Sequence, residues 1–238
     1  MSYALVTGAA KGLGAATVLA LADAGFDPII HYRASEEEAK AVAEECLAMG
    51  RNPLLFQYDL RSPDFAQAAA EFVQKRRGSL AVVVNNVGEY LVGPISETKR
   101  EEWSDLFLTN LHAPVALTHA LLPDLIESKG RVINMGCAGL EGPKAARHSP
   151  AYRCTKVALL SWTRSLAAEL AMKGVTVNMV SPGRMSNSVE LSPERIAAIP
   201  AGYVGEPNEV ARAVRWLAAD ESRYITGQNI EVAGGLLL

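Results

Sequence analysis

The sequence predicts one three-layer α/β domain, a doubly wound parallel sheet of about seven strands with helices on both faces. Three observations carry this reading. Short runs rich in Val, Ile and Leu alternate with longer stretches of helical spacing. Several of those runs, such as Leu80-Ala-Val-Val-Val84, are apolar throughout, which suits strands buried on both faces. A glycine-rich turn follows the first of them. No repeat, charged block or Ser/Gly-rich linker divides residues 1–238, so the halves about 1–130 and 131–238 belong to a single domain.

Strands are expected at Tyr3–Thr7, Pro28–Tyr32, Pro53–Gln57, Leu80–Asn85, Arg131–Met135, Val175–Val180 and Asn229–Val232. Helices fill the gaps. Ser35-Glu-Glu-Glu38 has the pattern of a capping box, and the helix it starts should end near Gly50. Ser62-Pro63 predicts another start, with Pro at the first helical position and a stop by Gly78. Arg100–Asp124 reads as one long helix disturbed by Pro114; Tyr152–Lys173 and Pro207–Ala219 are two more.

Composition excludes several classes. With 49% hydrophobic and 21% charged residues, the chain can build a core and is not of disordered type. A net charge of −3 lacks the basic face that nucleic-acid binding needs. Cys46, Cys137 and Cys154 form neither a disulfide framework nor a metal motif, and the four histidines lack metal-ligand spacing. No metal is expected. No run reaches the ~18–20 apolar residues of a membrane span, and the N-terminus has no basic, signal-like region. A reducing cytoplasm is the expected location, with no nucleic-acid or membrane partner.

Thr7-Gly-Ala-Ala-Lys-Gly-Leu-Gly14 lies between the first strand and a helix. Gly8, Gly12 and Gly14 let a backbone approach a pyrophosphate, and the helix start adds free N–H groups. This is the phosphate loop of a Rossmann-type fold. The second strand ends His31-Tyr-Arg33, with no acid before Glu36. An acid there would bind ribose hydroxyls and repel a 2′-phosphate. Arg33, with Lys11 in the loop, favours NADP(H) over NAD(H), and Tyr32 stands beside it at the strand end.

The chain resembles the short-chain dehydrogenase/reductase family, particularly its 3-oxoacyl-acyl-carrier-protein reductase-like members. The motifs run in order over essentially the whole chain: TGAAKGLG at Thr7–Gly14, Asp59-Leu60, NNVG at Asn85–Gly88, Asn110, YRCTK at Tyr152–Lys156, SPG at Ser181–Gly183 and YITGQ at Tyr224–Gln228. The resemblance implies that Gly8, Lys11, Gly12, Leu13 and Gly14 surround the cofactor phosphates. It places Asp59 and Leu60 at the adenine, and Asn86, Val87 and Gly88 on the adenosine ribose side. Val87 stands where the family usually has Ala. Pro182, Gly183 and the backbone near Met185 would hold the carboxamide, with Asn187 where Thr is common.

Tyr152 and Lys156 are four residues apart, on one helix face. A phenol with its ordinary pKa near 10 is a poor acid–base group at neutrality, and a neighbouring ammonium should lower that value. The resemblance implies that Tyr152 protonates a carbonyl oxygen as hydride arrives. It also implies that Lys156 holds the nicotinamide ribose and Asn110 anchors a water on a proton path. A homotetramer is implied too.

Cys137 occupies the position where the family usually places a serine that binds the substrate carbonyl. A thiol is the weaker donor. Three readings stay open: Cys137 does the serine's work poorly, Ser149 in the loop Arg147-His-Ser-Pro150 replaces it, or the chain binds NADP(H) without strong turnover. A covalent role would need a low thiol pKa and a base such as His148. His31 and His119 read as structural, and Trp103, Trp162 and Trp216 as packing residues. The substrate loop should lie between Gly183 and Gly205, with Arg184 as an anion-attracting candidate and Tyr203 at the mouth. Leu236, Leu237 and Leu238 are expected at a subunit contact, where Ser replacements should weaken assembly. The expected activity is NADPH-dependent reduction of a 3-oxoacyl thioester or small carbonyl compound; the alternative is an NADP(H)-binding regulatory protein.

Overall fold

The computed structural model describes residues 1–142, 145–146, 148–188 and 191–237. Its strands are β1 (Ser2–Val6), β2 (Asp27–Tyr32), β3 (Leu54–Gln57), β4 (Ser79–Asn85), β5 (Arg131–Met135), β6 (Thr176–Pro182) and β7 (Asn229–Val232). They form one sheet in the order β3-β2-β1-β4-β5-β6-β7, and every neighbouring pair is parallel. All seven expected strands are present, with ends displaced by at most two residues. The pleat explains their continuous apolar runs. Ala4, Val6, Val82, Val84 and Ile133 enter one core, while Leu5, Val83, Val132 and Val177 enter the other.

The helices are α1 (Gly12–Asp23), α2 (Glu36–Ala48), α3 (Phe65–Gln74), α4 (Arg100–Phe107), α5 (Ala113–Ala120), α6 (Leu122–Ser128), α7 (Pro150–Leu170), α8 (Pro193–Ala197) and α9 (Pro207–Ala218). Val18 and Leu21 of α1, Val42 of α2 and Val210 and Val214 of α9 cover the first face. Phe65 and Val73 of α3, Leu117 of α5 and Leu166 and Leu170 of α7 cover the second. The strand order reverses between β1 and β4, which opens a crevice beyond their carboxyl ends.

Three helical expectations need correction. Ser35 precedes α2, but its side chain makes no cap hydrogen bond. Glu38 instead pairs with Lys11 of the glycine loop, Nζ to Oε1 2.6 Å, because an ammonium is a stronger partner for a carboxylate than a backbone N–H. Helix α3 starts at Phe65 rather than at Pro63, because the Phe65 N–H closes a turn on the Ser62 carbonyl. The stretch Arg100–Asp124 is α4, a π-helical turn at Leu108–His112, α5 and the start of α6. Pro114 has no N–H for the Asn110 carbonyl four residues back, so the ladder widens there. Pro123 restarts the chain in the first turn of α6.

Candidate active site

The loop after β1 and the segment after β4 are tied together. Thr7 Oγ1 accepts from the Asn86 N–H at 2.9 Å and the Val87 N–H at 3.1 Å. Asn86 Nδ2 donates to the Thr7 and Gly8 carbonyls at 2.9 and 3.2 Å. The close approach requires glycine. A Cβ on Gly14 would stand 2.2 Å from the Gly8 carbonyl oxygen, and one on Gly8, at φ +61°, would meet Val87 Cγ2 at 2.7 Å. Helix α1 begins inside this loop with no side chain capping it, so its first N–H groups are left for a ligand. A cradle too tight for a Cβ, with open helix N–H groups, fits a dinucleotide pyrophosphate.

His31 was expected to be merely structural, and its geometry is more specific. It is 2% exposed. Its Nδ1 accepts from the Gly8 N–H and its Nε2 lies against the Tyr58 carbonyl, both at 3.1 Å. The first contact requires a bare Nδ1, so the proton sits on Nε2 and is donated to Tyr58. Burial lowers the imidazole pKa to about 4, against the raising effects of the Tyr58 carbonyl and Asp59. The Ala9 N–H also donates to the His31 carbonyl. Thr7 opens the glycine motif, but its tie to Asn86 and Val87, like the place of His31, is revealed only by the spatial closeness of three strand ends.

The other expected cofactor residues divide. Leu13, Asn86, Gly88, Pro182, Gly183 and Met185 line one cleft. Lys11 is engaged with Glu38, and Arg33 Nη1 stands 3.9 Å from Asp59 Oδ2. The Arg61 N–H holds the Asp59 carboxyl below the usual range, helped by the charges of Arg61 and Arg33. Leu60 packs under the sheet and Val87 against the glycine loop. The Tyr32 ring lies in the core, so β2 offers the crevice its end rather than that side chain. The Met185 N–H, in the backbone expected to hold a carboxamide, already donates to Ser188 Oγ at 2.9 Å.

Helix α7 brings Tyr152 and Lys156 to the cleft. Lys156 Nζ donates to the Met135 carbonyl at 2.8 Å and lies 5.7 Å from the centre of the Tyr152 ring. Burial draws the ammonium down to about 8, with Cys137 opposing. The Tyr152 phenol is raised, first by burial and then by Cys137 and Tyr90. The lowered phenol pKa expected from Lys156 is therefore not found; desolvation outweighs the ammonium at this separation. Tyr90, which no motif marked, packs edge-on against Tyr152 with centroids 4.8 Å apart.

Asn110 lies in the π-helical turn and is fully buried. Its Oδ1 accepts from the Glu89 N–H at 2.8 Å, and its Nδ2 donates to the Glu89 carbonyl and Thr155 Oγ1 at 2.9 and 3.1 Å. The side chain thus fixes the segment after β4 against α7. Cys137 follows β5, half-buried, on the lining of the same cleft. Burial pushes its thiol up to about 11, with Lys156 and Arg153 pulling down and Glu231 adding to the rise. A protonated thiol near neutrality is a poor nucleophile. Ser149 and His148 also line the cleft, and His148 lies against Arg195. Arg147 is outside the described residues.

The cleft encloses about 740 Å³ between the glycine loop, the end of β5, α7 and the tail. Arg184 belongs to its wall. Tyr203 does not border it: the ring is exposed and its hydroxyl donates to Glu209. Leu236 is buried, while Leu237, 56% exposed, rests over Gly139, and both line the cleft of their own chain. Leu238 is outside the described residues. Among the described residues there is no metal-binding cluster, and no helix is long and apolar enough to cross a membrane.

A parallel sheet with its crossover at a glycine cradle, and a Tyr–Lys pair across the crevice, define a nucleotide-dependent oxidoreductase of Rossmann type. The chain belongs to the short-chain dehydrogenase/reductase family. A family model described as enoyl-(acyl carrier protein) reductase matches residues 8–237. The chain is 34% identical to the 3-oxoacyl-[acyl-carrier-protein] reductase FabG of Staphylococcus aureus, over 99% of this chain and 98% of the relative. It also matches a blue fluorescent protein from a metagenomic library solved with NADPH, at TM-score 0.93 and 32% identity over 100% and 98% of the two chains. The acetoin dehydrogenase YohF of Salmonella typhimurium matches at TM-score 0.90 and 28% identity, over 99% and 96%.

Proposed function

We propose that the protein is an NADPH-dependent carbonyl reductase acting on a 3-oxoacyl thioester or a small ketone or aldehyde. The observation that carries this reading is the pair of half-buried Tyr152 and buried Lys156, which lines one cleft with Leu13 of the glycine loop. Full-length likeness to a 3-oxoacyl reductase, and to a structure holding NADPH, supports the substrate and cofactor classes. Bound NADPH supplies the hydride. Tyr152 keeps its proton near neutrality and gives it to the carbonyl oxygen as charge develops there. Lys156 carries positive charge below about 8, stabilises the phenolate left behind and holds the nicotinamide ribose. Asn110 positions the Glu89 segment and α7, and its backbone carbonyl, which Pro114 cannot satisfy, anchors a water toward Lys156. Cys137 points its weak donor at the substrate carbonyl, with Ser149 as the nearby hydroxyl. The working assembly is a homotetramer.

The test is a fluorescence titration with NADPH and NADH, followed by absorbance loss over a panel of 3-oxoacyl thioesters, diketones and aldehydes. NADPH should bind preferentially and be oxidised. Tyr152→Phe should lower turnover at least about 10²-fold while NADPH binding stays within about twofold; retained turnover refutes the acid assignment. Cys137 favours one second reading, a regulatory NADP(H)-binding protein. NADPH binding with no oxidation across the panel would select it.

A further inference from the structure

The charge lining the cleft runs against that of the chain. The protein carries a net −3, yet the described lining residues include Arg153, Lys156, Arg184 and Arg195 and no Asp or Glu. Arg153 and Arg184 are both half-buried. Arg153 Nη1 donates to the Gly139 carbonyl, and Arg184 Nη1 donates to the Arg195 carbonyl at 3.0 Å. A carbonyl satisfies one N–H without neutralising a guanidinium; Glu231, which accepts from the Gly139 N–H at 2.8 Å, brings one carboxylate to the Gly139 end of the site. The start of α7 adds to this field. Ser149 makes no side-chain cap there and the first turn has no acid.

Position decides what kind of anion suits the site. Arg153 follows Tyr152 directly in α7 and is tethered to Gly139, two residues past Cys137. Its charge is felt at the Cys137 thiol. Arg153, Tyr152 and Cys137 thus line the same cleft, where one compact substrate can meet all three. The phosphate of a pantetheine thioester stands many bonds further off. A carboxylate on the substrate itself meets the constraint, and it matches the planar fork of a guanidinium.

We propose that the cleft selects a short oxo acid, a substrate whose own carboxylate binds Arg153 and Arg184 while its carbonyl faces Tyr152 and Cys137. This rests on the reductase reading and names its substrate class.

The experiment titrates the protein, saturated with NADP⁺ and also without it, with acetoacetate and with methyl acetoacetate, which share a ketone and differ in charge. Acetoacetate should bind at least about tenfold tighter. Arg153→Gln and Arg184→Gln should each cut that preference severalfold, and Arg184→Lys should restore part of it, with NADPH affinity unchanged. Equal binding of acid and ester overturns the proposal, as does a preference that survives both glutamine variants. If both variants instead lose NADPH affinity, the guanidiniums serve the cofactor and the proposal falls. A second pair, 3-oxobutanoyl pantetheine with and without its phosphate, separates the other anion source. Discrimination in that pair alone moves the anion to a carrier arm and overturns the oxo-acid assignment. Failure to bind either nucleotide counts against the reductase reading itself, while the acid–ester comparison on the bare protein still decides the anion site.

Discussion

At position 137 a sulfur atom faces the cleft where a hydroxyl is usual, and it is both larger and a weaker donor. Under the proposed reaction, the cost appears as charge builds on the carbonyl oxygen. Removing a good donor at such a point costs as much as about 2.7–4 kcal/mol. Cys137 removes only part of one, and Ser149 stands on the same wall. Cys137→Ser should therefore raise kcat/KM by about tenfold, read from initial rates at saturating NADPH. A fall would show that the thiol has work a hydroxyl cannot do. Covalent work is disfavoured because burial holds the thiol at about 11, far above neutrality.

Among the elements, the strands were legible because each is buried on both faces and needs an unbroken apolar run. The Tyr152–Lys156 spacing was legible for the same kind of reason, since a helix puts such residues on one face. Helix ends were less so. Ser35-Glu-Glu-Glu38 has the letters of a capping box, but Lys11, remote in sequence, takes Glu38 instead. The π-helical turn holding Asn110 follows from a missing N–H at Pro114, and its width is set by packing on α7 through Thr155. His31 had no motif because its partners come from the loops after β1 and β3. Its tie to the glycine loop makes a pH prediction. The folded imidazole titrates near 4 and the free one at 6.5, so the unfolded chain binds the extra proton first as pH falls. Stability is full above about 6.5 and is lost toward 4, by about 3 kcal/mol over that window. His31→Gln keeps one donor and one acceptor without the titration. Urea midpoints measured from pH 7 to 4.5 should fall less steeply in the variant than in the native protein. Parallel slopes would remove His31 from the account.

For the whole molecule, the point at issue is what the tail covers. In the sequence alone, Leu236, Leu237 and Leu238 are apolar enough to point to a subunit contact. The fold buries Leu236 in its own chain and leaves Leu237 more than half exposed: β7 sits at the sheet edge beside β6, and the chain beyond it turns back over the loop that follows β5. Gly139 makes room, since a Cβ there would stand 2.5 Å from Leu237 Cδ1. Leu237 sits at φ +70°, a region that Leu rarely adopts and that persists only when its surroundings enforce it. The tail therefore helps wall the cleft that holds Cys137 and Tyr152. Leucine burial is worth about 1.5–3 kcal/mol, so replacing the buried Leu236 alone with Ser should raise KM for a carbonyl substrate about tenfold. The light-scattering mass should stay that of the native assembly. A lower mass with unchanged KM would give Leu236 back to a subunit contact, and the cleft would then owe its shape to β5, α7 and the segment after β6 alone.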